Sequence, residues 1–340
     1  MLGYYDTALG FYKRSLLENP ENPDAYFKIG KILFEKHNLN AAIDFLKKAY
    51  DLNPENINYI FSLVDYYEEV QDYTSVIKIY KELLKRSPAN VKLLYRLANA
   101  YLKAGYFESA LNTFQKVIKL NPAIVECYVK VGYIYSMFKK YDKAVSFFEK
   151  AIELEPENPN IYLSLGYIYI IKKDYENAIV AFKTALHYGL KTAEVYYNLG
   201  MCSDLAKRFD DAVKYFKKAL ELNPDDAKTL NYLGYMMLEN DVNIDEAGKY
   251  IKKALKLQPE SGYIIDSLGW YYYKKGNYKK ALKLLKKAVT KTKTDAIIYE
   301  HIGDTFVKLR DYENAIKYYE KSLKLKDSKK VKEKLEKLKK

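Results

Sequence analysis

The prolines of this chain recur with a fixed period. Intervals of 34 residues separate Pro20, Pro54, Pro88, Pro122 and Pro156. The remaining prolines follow the same period. Pro23 and Pro159 are four periods apart, Pro224 lies two periods after Pro156, and Pro259 follows Pro224 after 35 residues, one more than a period. Glycines repeat with the same spacing at Gly132, Gly166, Gly200, Gly234, Gly269 and Gly303. Self-similarity at this period indicates a repeat architecture in place of the two or three globular domains that 340 residues would otherwise suggest.

The period divides the chain into nine predicted units. They begin at Pro23, Ile57, Val91, Val125, Pro159, Ala193, Ala227, Gly262 and Ala296, and the last ends at residue 329. The extra residue falls within the loop-like stretch Glu239–Asp245. Residues 1–22 are predicted to be a partial first repeat that holds only its second helix. Residues 330–340 place Val331, Leu335 and Leu338 on one face, which predicts a C-terminal capping helix.

Each unit has the pattern of a helical hairpin. In the fifth unit, apolar and small residues recur at helical spacing in two segments: Tyr162, Leu165, Gly166 and Tyr169, then Ala178, Phe182 and Ala185. Residues 172–174 form a polar turn between them, and a proline ends the second helix in most units. Such a hairpin is too small to bury its own apolar face, so neighbouring units are expected to stack.

This pattern resembles the tetratricopeptide repeat family over essentially the whole chain. The residues that carry it in the fifth unit are Tyr162–Tyr169, Tyr175–Ala178, Phe182 and Ala185. The resemblance implies an all-α fold, a right-handed superhelical solenoid of stacked helical hairpins, whose first helices line a concave groove that holds ligands. The second unit departs from the pattern, since Val64, Val76 and Leu83 replace the usual glycine and alanines. The segment from Leu230 to Ala288 resembles a subgroup common in Gram-negative bacteria.

The groove implied by this resemblance is the candidate binding site. Because a helix repeats every 3.6 residues, the inward places of each first helix are the second, fifth, ninth, twelfth and thirteenth. The predicted peptide-binding residues are Tyr95, Asn99, Tyr133, Leu163, Tyr167, Ile170, Tyr197, Met201, Asn231, Tyr235, Asp266 and Trp270. Aromatic side chains with polar tips suit peptide recognition. Tyrosine is abundant, with 37 residues, so some of these rings are alternatively expected to pack on the next helix.

The positive charge of the chain lies at one end. From Lys274 to Lys340 there are 22 lysines and arginines against 9 acidic residues, which accounts for the whole net charge of +13. A basic end is compatible with RNA or an anionic surface. The whole chain has only five arginines, the residue that specific base recognition favours, so no specific nucleic acid is predicted. Acidic residues near the groove, Asp204, Asp266, Glu300 and Asp304, predict a preference for basic flanks on a bound peptide.

No residue set predicts catalysis, a metal or a cofactor. The chain lacks a glycine-rich phosphate loop, a histidine pair at metal spacing and a nucleophile elbow. His301 shares a helical turn with Glu300 and Asp304, which we interpret as a solvated face. Cys127 and Cys202 fall where units pack together, so we expect buried, inert thiols.

The predicted function is therefore that of a non-catalytic protein-interaction scaffold that binds extended or helical peptides. Two alternatives stay open. One is a basic solenoid that associates with RNA or an anionic surface, and the other is the regulatory repeat region of an enzyme whose catalytic domain is absent.

The front of the chain lacks a predicted cap. An uncapped solenoid end exposes apolar surface, so we favour sequence missing before Met1 and allow self-association through this end.

The sequence has no predicted transmembrane segment and no signal peptide. The compartment stays open: the cytoplasm is the default, and a bacterial envelope location requires a missing upstream signal.

Overall fold

A computed structural model describes residues 2–339, which fold into 20 helices without a strand. The chain divides into two compact units, one ending at Pro156 and the other starting at Glu157. The helices of the N-terminal unit are α1 (Leu2–Glu18), α2 (Pro23–Glu35), α3 (Leu39–Leu52), α4 (Ile57–Glu69), α5 (Tyr73–Arg86), α6 (Val91–Lys103), α7 (Phe107–Leu120), α8 (Val125–Met137) and α9 (Tyr141–Leu154).

The C-terminal unit continues the same alternation of helices. Its members are α10 (Pro159–Lys172), α11 (Tyr175–His187), α12 (Ala193–Leu205), α13 (Phe209–Leu222), α14 (Ala227–Glu239), α15 (Ile244–Leu257), α16 (Gly262–Lys274), α17 (Tyr278–Lys291), α18 (Ala296–Lys308), α19 (Tyr312–Leu325) and α20 (Lys329–Lys339). The first helices begin at the residues where the sequence places the repeats, but the division into nine repeats as structural units stays a prediction. Met1 and Lys340, which bound the predicted ranges, lie outside the described residues.

Glycine at the eighth place of a first helix lets the second helix pack closely. A Cβ atom on Gly166 would lie 2.6 Å from Cε1 of Phe182, so the ring rests directly against the glycine backbone. The same arrangement recurs between Gly132 and Phe148, between Gly200 and Phe216, and between Gly303 and Tyr319. The absence of a side chain at Gly166 thus lets α10 and α11 cross closely.

A left-handed residue ends every first helix from α2 to α18. These residues are His37, Gln71, Gly105, Lys139, Lys173, Lys207, Asp241, Gly276 and Arg310, all with positive φ. The left-handed conformation terminates the helix and turns the chain back into the second helix. The turn between α14 and α15 contains a second such residue, Asn243 with φ of 44°, and it holds the extra residue predicted in this stretch.

Both cysteines lie in the packed interior. Cys127 and Cys202 are fully buried, and burial raises the pKa of each thiol to about 12. The expectation of buried thiols is thereby confirmed, and their inertness stays a prediction, since a thiol that stays protonated near neutral pH is a poor nucleophile.

The two ends of the described chain differ. Helix α20 packs against α19 and buries Val331. At the other end, α1 leaves Tyr4, Phe11 and Leu17 mostly exposed to solvent. Self-association through this apolar face stays a prediction.

No helix among residues 2–339 combines the length and apolar character needed to cross a membrane.

Candidate functional site

The predicted groove residues of the N-terminal unit lie on α6 and α8. Tyr95 is half-buried, with its ring edge against Phe114 at 6.0 Å between centroids. The side-chain amide of Asn99 donates to the carbonyl oxygen of Tyr95 at 2.9 Å. Tyr133 is 48% exposed. Of these three side chains, Tyr133 therefore offers the largest free surface to a ligand.

In the C-terminal unit, four predicted groove residues pack beside one apolar cluster. Leu163, Tyr167, Ile170 and Met201 are partly buried against a core that includes Phe182. The phenol of Tyr167 donates to Glu194 Oε1 at 2.5 Å and accepts from Asn198 Nδ2 at 3.0 Å. Both partners belong to α12, so Tyr167 links its own repeat to the next one.

Three predicted residues from two helices line one cavity of about 340 Å³: Asn231 and Tyr235 of α14, and Asp266 of α16. Asp295, directly before α18, and Ile297 of α18 complete the far side. Its rim is apolar, because Tyr263 is 58% exposed and Ile297 is 45% exposed. The cavity thus combines a polar floor with apolar edges, as small-ligand and side-chain pockets commonly do.

Trp270 and Tyr197, also predicted as groove residues, are buried. The indole of Trp270 is 7% exposed and stacks between Tyr273 at 4.3 Å and His301 at 4.0 Å. Its Nε1 donates to Glu239 Oε1 at 2.7 Å. Tyr197 packs edge-on against Tyr232. The binding role of both residues stays a prediction. Trp270 packs on His301, and Tyr197 packs on Tyr232, which lines the cavity.

The interpretation of His301 as part of a solvated face is wrong. His301 is 4% exposed, and its Nδ1 lies 3.0 and 3.1 Å from the two carboxylate oxygens of Asp266. Its Nε2 lies 3.5 Å from the hydroxyl of Tyr235. The imidazole therefore sits beneath the cavity floor and connects Asp266, Tyr235 and Trp270.

The electrostatics around this floor are dominated by carboxylates. Burial lowers the pKa of His301, but Asp266 and more distant carboxylates raise it by more, so the pKa lies above its usual value of 6.5. Burial and four surrounding carboxylates raise the pKa of Tyr235, which keeps its phenol protonated. These carboxylates belong to Glu239, Asp266, Glu300 and Asp295. Carboxylates thus surround the phenol of Tyr235 at the cavity.

The acidic residues near the predicted groove already have partners within the chain. Lys334 of α20 places its Nζ 2.7 Å from Glu300 Oε1 and 2.7 Å from both oxygens of Asp304. Burial raises the pKa of Glu300, while Lys334 and Lys330 lower it by more, so the net shift is downward. Asp204 accepts from the phenol of Tyr232 at 3.1 Å. The C-terminal helix thus fills part of the acidic surface that the sequence assigns to a peptide.

The residues that sequence reasoning missed occupy the sixth place of their first helices. His301 reaches back to Asp266, Asn198 to Tyr167, and in the same way Tyr232 reaches Asp204. The sixth place is not one of the five predicted inward places, yet its side chain contacts the first helix of the preceding repeat. A polar residue at that place, opposite an acid or a tyrosine one repeat earlier, is the signal that could have identified these pairs.

Nothing in the described part of the chain points to metal chemistry. Among residues 2–339, no group of three or more histidine, cysteine, aspartate or glutamate side chains is arranged to hold a metal ion. The site instead offers hydrogen-bond acceptors, phenol rings and negative charge, which are means of recognition.

Helical hairpins that stack in this way define a tetratricopeptide repeat protein. Family models described as Tetratricopeptide repeat match residues 23–56 and 69–123. A third, described as Cilia and flagella-associated protein 70 C-terminal domain, matches residues 123–338, which is more than half of the chain. The chain belongs to the tetratricopeptide repeat family, and through residues 123–338 to the family that this third model describes. The resemblance of residues 230–288 to a Gram-negative subgroup stays a prediction.

Two solved structures with TM-scores above 0.5 share the fold. A tetratricopeptide repeat protein from Parabacteroides merdae is 19% identical with a TM-score of 0.59, covering 76% of this chain and 98% of its own. The Cut9–Hcn1 hetero-tetramer structure of the APC/C matches at 16% identity and a TM-score of 0.56, covering 97% of this chain and 81% of that one. YrrB, a protein with an unusual peptide-binding site, is 26% identical with a TM-score of 0.47, and the match covers 54% of this chain and 94% of YrrB.

A search among curated proteins finds no match. The fold and the family imply a protein-interaction scaffold, a class that is typically non-catalytic.

Proposed function

We propose that this protein is a non-catalytic scaffold that binds a peptide segment of a partner protein along the first helices of its C-terminal unit. The observation that carries the proposal is the cavity between Asn231, Tyr235 and Asp266. Its exposed rim residues, Tyr263 and Ile297, offer apolar surface next to a polar floor. Repeat proteins of stacked helical hairpins present such surfaces to extended ligands.

Binding is expected to be modest. A flexible segment loses conformational freedom when it is ordered on a surface, so the Kd should be about micromolar. A few aromatic contacts usually supply most of the affinity, which makes Tyr235 and Tyr263 the residues whose loss should matter most.

A library of random dodecapeptides displayed on phage tests this proposal without a known partner. Selected peptides would be synthesised and titrated while the emission of Trp270, the only tryptophan, is recorded. Tyr235→Ala and Tyr263→Ala should each weaken binding at least about tenfold, since each removes aromatic contact area. Tyr312→Ala is the matched control, because Tyr312 is 50% exposed on the second helix α19, away from the cavity.

Two outcomes contradict the proposal. One is a set of selected peptides that bind the tyrosine variants and the parent protein equally well, with helicity unchanged by circular dichroism. The other is binding that survives both tyrosine changes but disappears with Lys283→Glu and Lys286→Glu on α17, which would favour an anionic ligand on the basic end.

A further inference from the structure

The cavity of the C-terminal unit has the dimensions of a pocket for one side chain. Its volume of about 340 Å³ is at the lower limit for small-ligand sites. Asn231, Tyr235, Asp266 and Ser267 lie on its polar side. An extended peptide on the first helices could therefore insert one long side chain here.

The polar floor has hydrogen-bond acceptors to spare. The Oδ1 atom of Asn231 is buried and has no hydrogen-bond partner within the described residues. Among residues 2–339, Nδ1 of His301 is the one hydrogen-bonding group at the Asp266 carboxylate, although two carboxylate oxygens together accept about four hydrogen bonds. An unpaired buried acceptor is unfavourable, so the matching ligand group is a donor of several hydrogen bonds.

The charge around the cavity selects a cation. Asp266 and Asp295 line it, and Glu239 lies near it, where its carboxylate accepts the indole N–H of Trp270. The single lysine of the lining, Lys228, holds its Nζ 4.0 Å from the centroid of the Tyr197 ring. Three carboxylates against the imidazolium of His301 and the ammonium of Lys228 leave a net negative charge.

The same face already binds one cation of its own chain. Lys334 of α20 contacts Glu300 and Asp304, the carboxylates beside His301 on α18. By contrast, neither Asp266 nor Asp295 forms an ion pair with a lysine or arginine of residues 2–339. The cavity thus holds two carboxylates of this acidic surface that no lysine or arginine of residues 2–339 has paired, although Asp266 is paired with His301.

The walls favour a flat cation over a spherical one. Tyr232, Tyr235 and Tyr263 all line the cavity. A guanidinium stacks on aromatic faces and directs five N–H groups outward in one plane, whereas an ammonium is compact and strongly hydrated.

We infer that this cavity is a recognition pocket for the guanidinium of an arginine side chain in the bound peptide. The inference rests on the proposed function, because the arginine arrives as part of a peptide on the first helices. In the complex, the guanidinium donates to Asp266 and stacks on the tyrosine walls, and it reaches Asn231 Oδ1 once the Asn231 side chain turns this buried oxygen toward the cavity.

Four pools of acetylated, amidated nonapeptides test this inference. All pools have random flanking residues, and the central residue is arginine, citrulline, lysine or leucine. Retention of each pool on the immobilised full chain is measured by mass spectrometry. The arginine pool should be retained about tenfold more than the citrulline pool, since citrulline is an uncharged analogue of the same shape. It should also exceed the lysine pool, which shares the charge without the planar group.

Three variants assign the preference to the pocket. Asn231→Leu and Asp295→Asn should each reduce the preference for arginine over citrulline severalfold, because each removes an acceptor or a charge. Asp174→Asn is the matched control. Asp174 and Asp295 both cap helices through their side chains, Asp174 lies outside the cavity, and asparagine caps helices equally well.

The outcomes separate the inference from the proposed function. Equal retention of all four pools, together with a loss in Tyr235→Ala, would overturn the arginine pocket and leave peptide binding intact. Equal retention of the arginine and lysine pools would overturn the guanidinium assignment. Absence of retention for every pool would overturn both.

Discussion

Gly166 shows how one residue sets the distance between two helices. Phe182 occupies the space that a side chain at this position would need, since its ring lies 2.6 Å from where a Cβ atom would be. Gly166→Leu should therefore force α10 and α11 apart and lower the free energy of unfolding by about 1–3 kcal/mol. Urea unfolding followed by circular dichroism measures this change.

The control for this change is the same substitution in open space. Gly10 lies within α1 and has no atom within 4 Å of the place that a Cβ atom would take. Gly10→Leu should leave stability unchanged or raise it by up to about 1 kcal/mol, because glycine is a poor helix former. Equal destabilisation by the two substitutions would show that packing at the helix crossing is not the cause.

At the scale of the element, the hairpin of α4 and α5 differs from its neighbours. Val64 occupies the place that glycine holds in most first helices, and it packs in one cluster with Val76 and Tyr80. The two helices approach each other less closely than the helices of the other hairpins. A branched side chain at this crossing explains the wider separation, since glycine in most other hairpins lets a side chain of the second helix, such as Phe182 or Leu285, lie on the backbone.

We expect this hairpin to open most readily. Local stability follows buried apolar contact, so amides of α4 and α5 should exchange with solvent faster than those of α10 and α11. Hydrogen exchange read by mass spectrometry on the native protein compares the two, and α8 with α9 serves as a second reference because it contains the Gly132–Phe148 crossing. Protection of α4 and α5 equal to that of α10 and α11 would refute the expectation.

The helices, the turns and the shared face of the site residues could be predicted from the sequence, because they follow from local patterns. The 34-residue period locates helices and turns, because prolines, glycines and polar turns act locally. Helical periodicity further predicts that Asn231, Tyr235 and Asp266 share a face. It does not identify partners from other repeats, such as His301 for Asp266 or Lys334 for Glu300. Those pairs depend on which two side chains meet across separate helices, and a periodic pattern carries no such information.

At the scale of the whole molecule, the basic end is less isolated than its composition suggests. Several of its lysines bind acidic residues that precede it in the chain: Lys274 pairs with Asp241, Lys275 with Asp245, and Lys291 with Glu260. Others pair within it, as Lys334 does with Glu300 and Asp304. Part of the positive charge therefore serves contacts between helices, which favours a scaffold over a dedicated anion-binding surface.

The buried histidine makes the stability of the C-terminal unit depend on pH. The pKa of His301 in the folded protein lies above 6.5, because Asp266, Asp304 and Glu239 outweigh the effect of burial. Its protonation therefore contributes stability that is complete below about pH 6.5 and is lost as the pH rises through the raised pKa. Glu300 has the opposite sign: its lowered pKa contributes stability above about pH 4.5 that is lost in acid. Both contributions are present together near about pH 6.

Urea unfolding monitored by Trp270 should report this dependence directly, since the indole stacks on His301 at 4.0 Å. The urea midpoint should fall between about pH 6 and pH 8.5 in the parent protein, and His301→Gln should remove most of that fall because glutamine does not titrate. His187→Gln is the matched control, since His187 is exposed at the end of α11 in the same unit. A fall of the same size in His301→Gln would mean that another group governs the pH dependence, and a flat profile in the parent protein would mean that the His301–Asp266 pair does not favour the protonated imidazole.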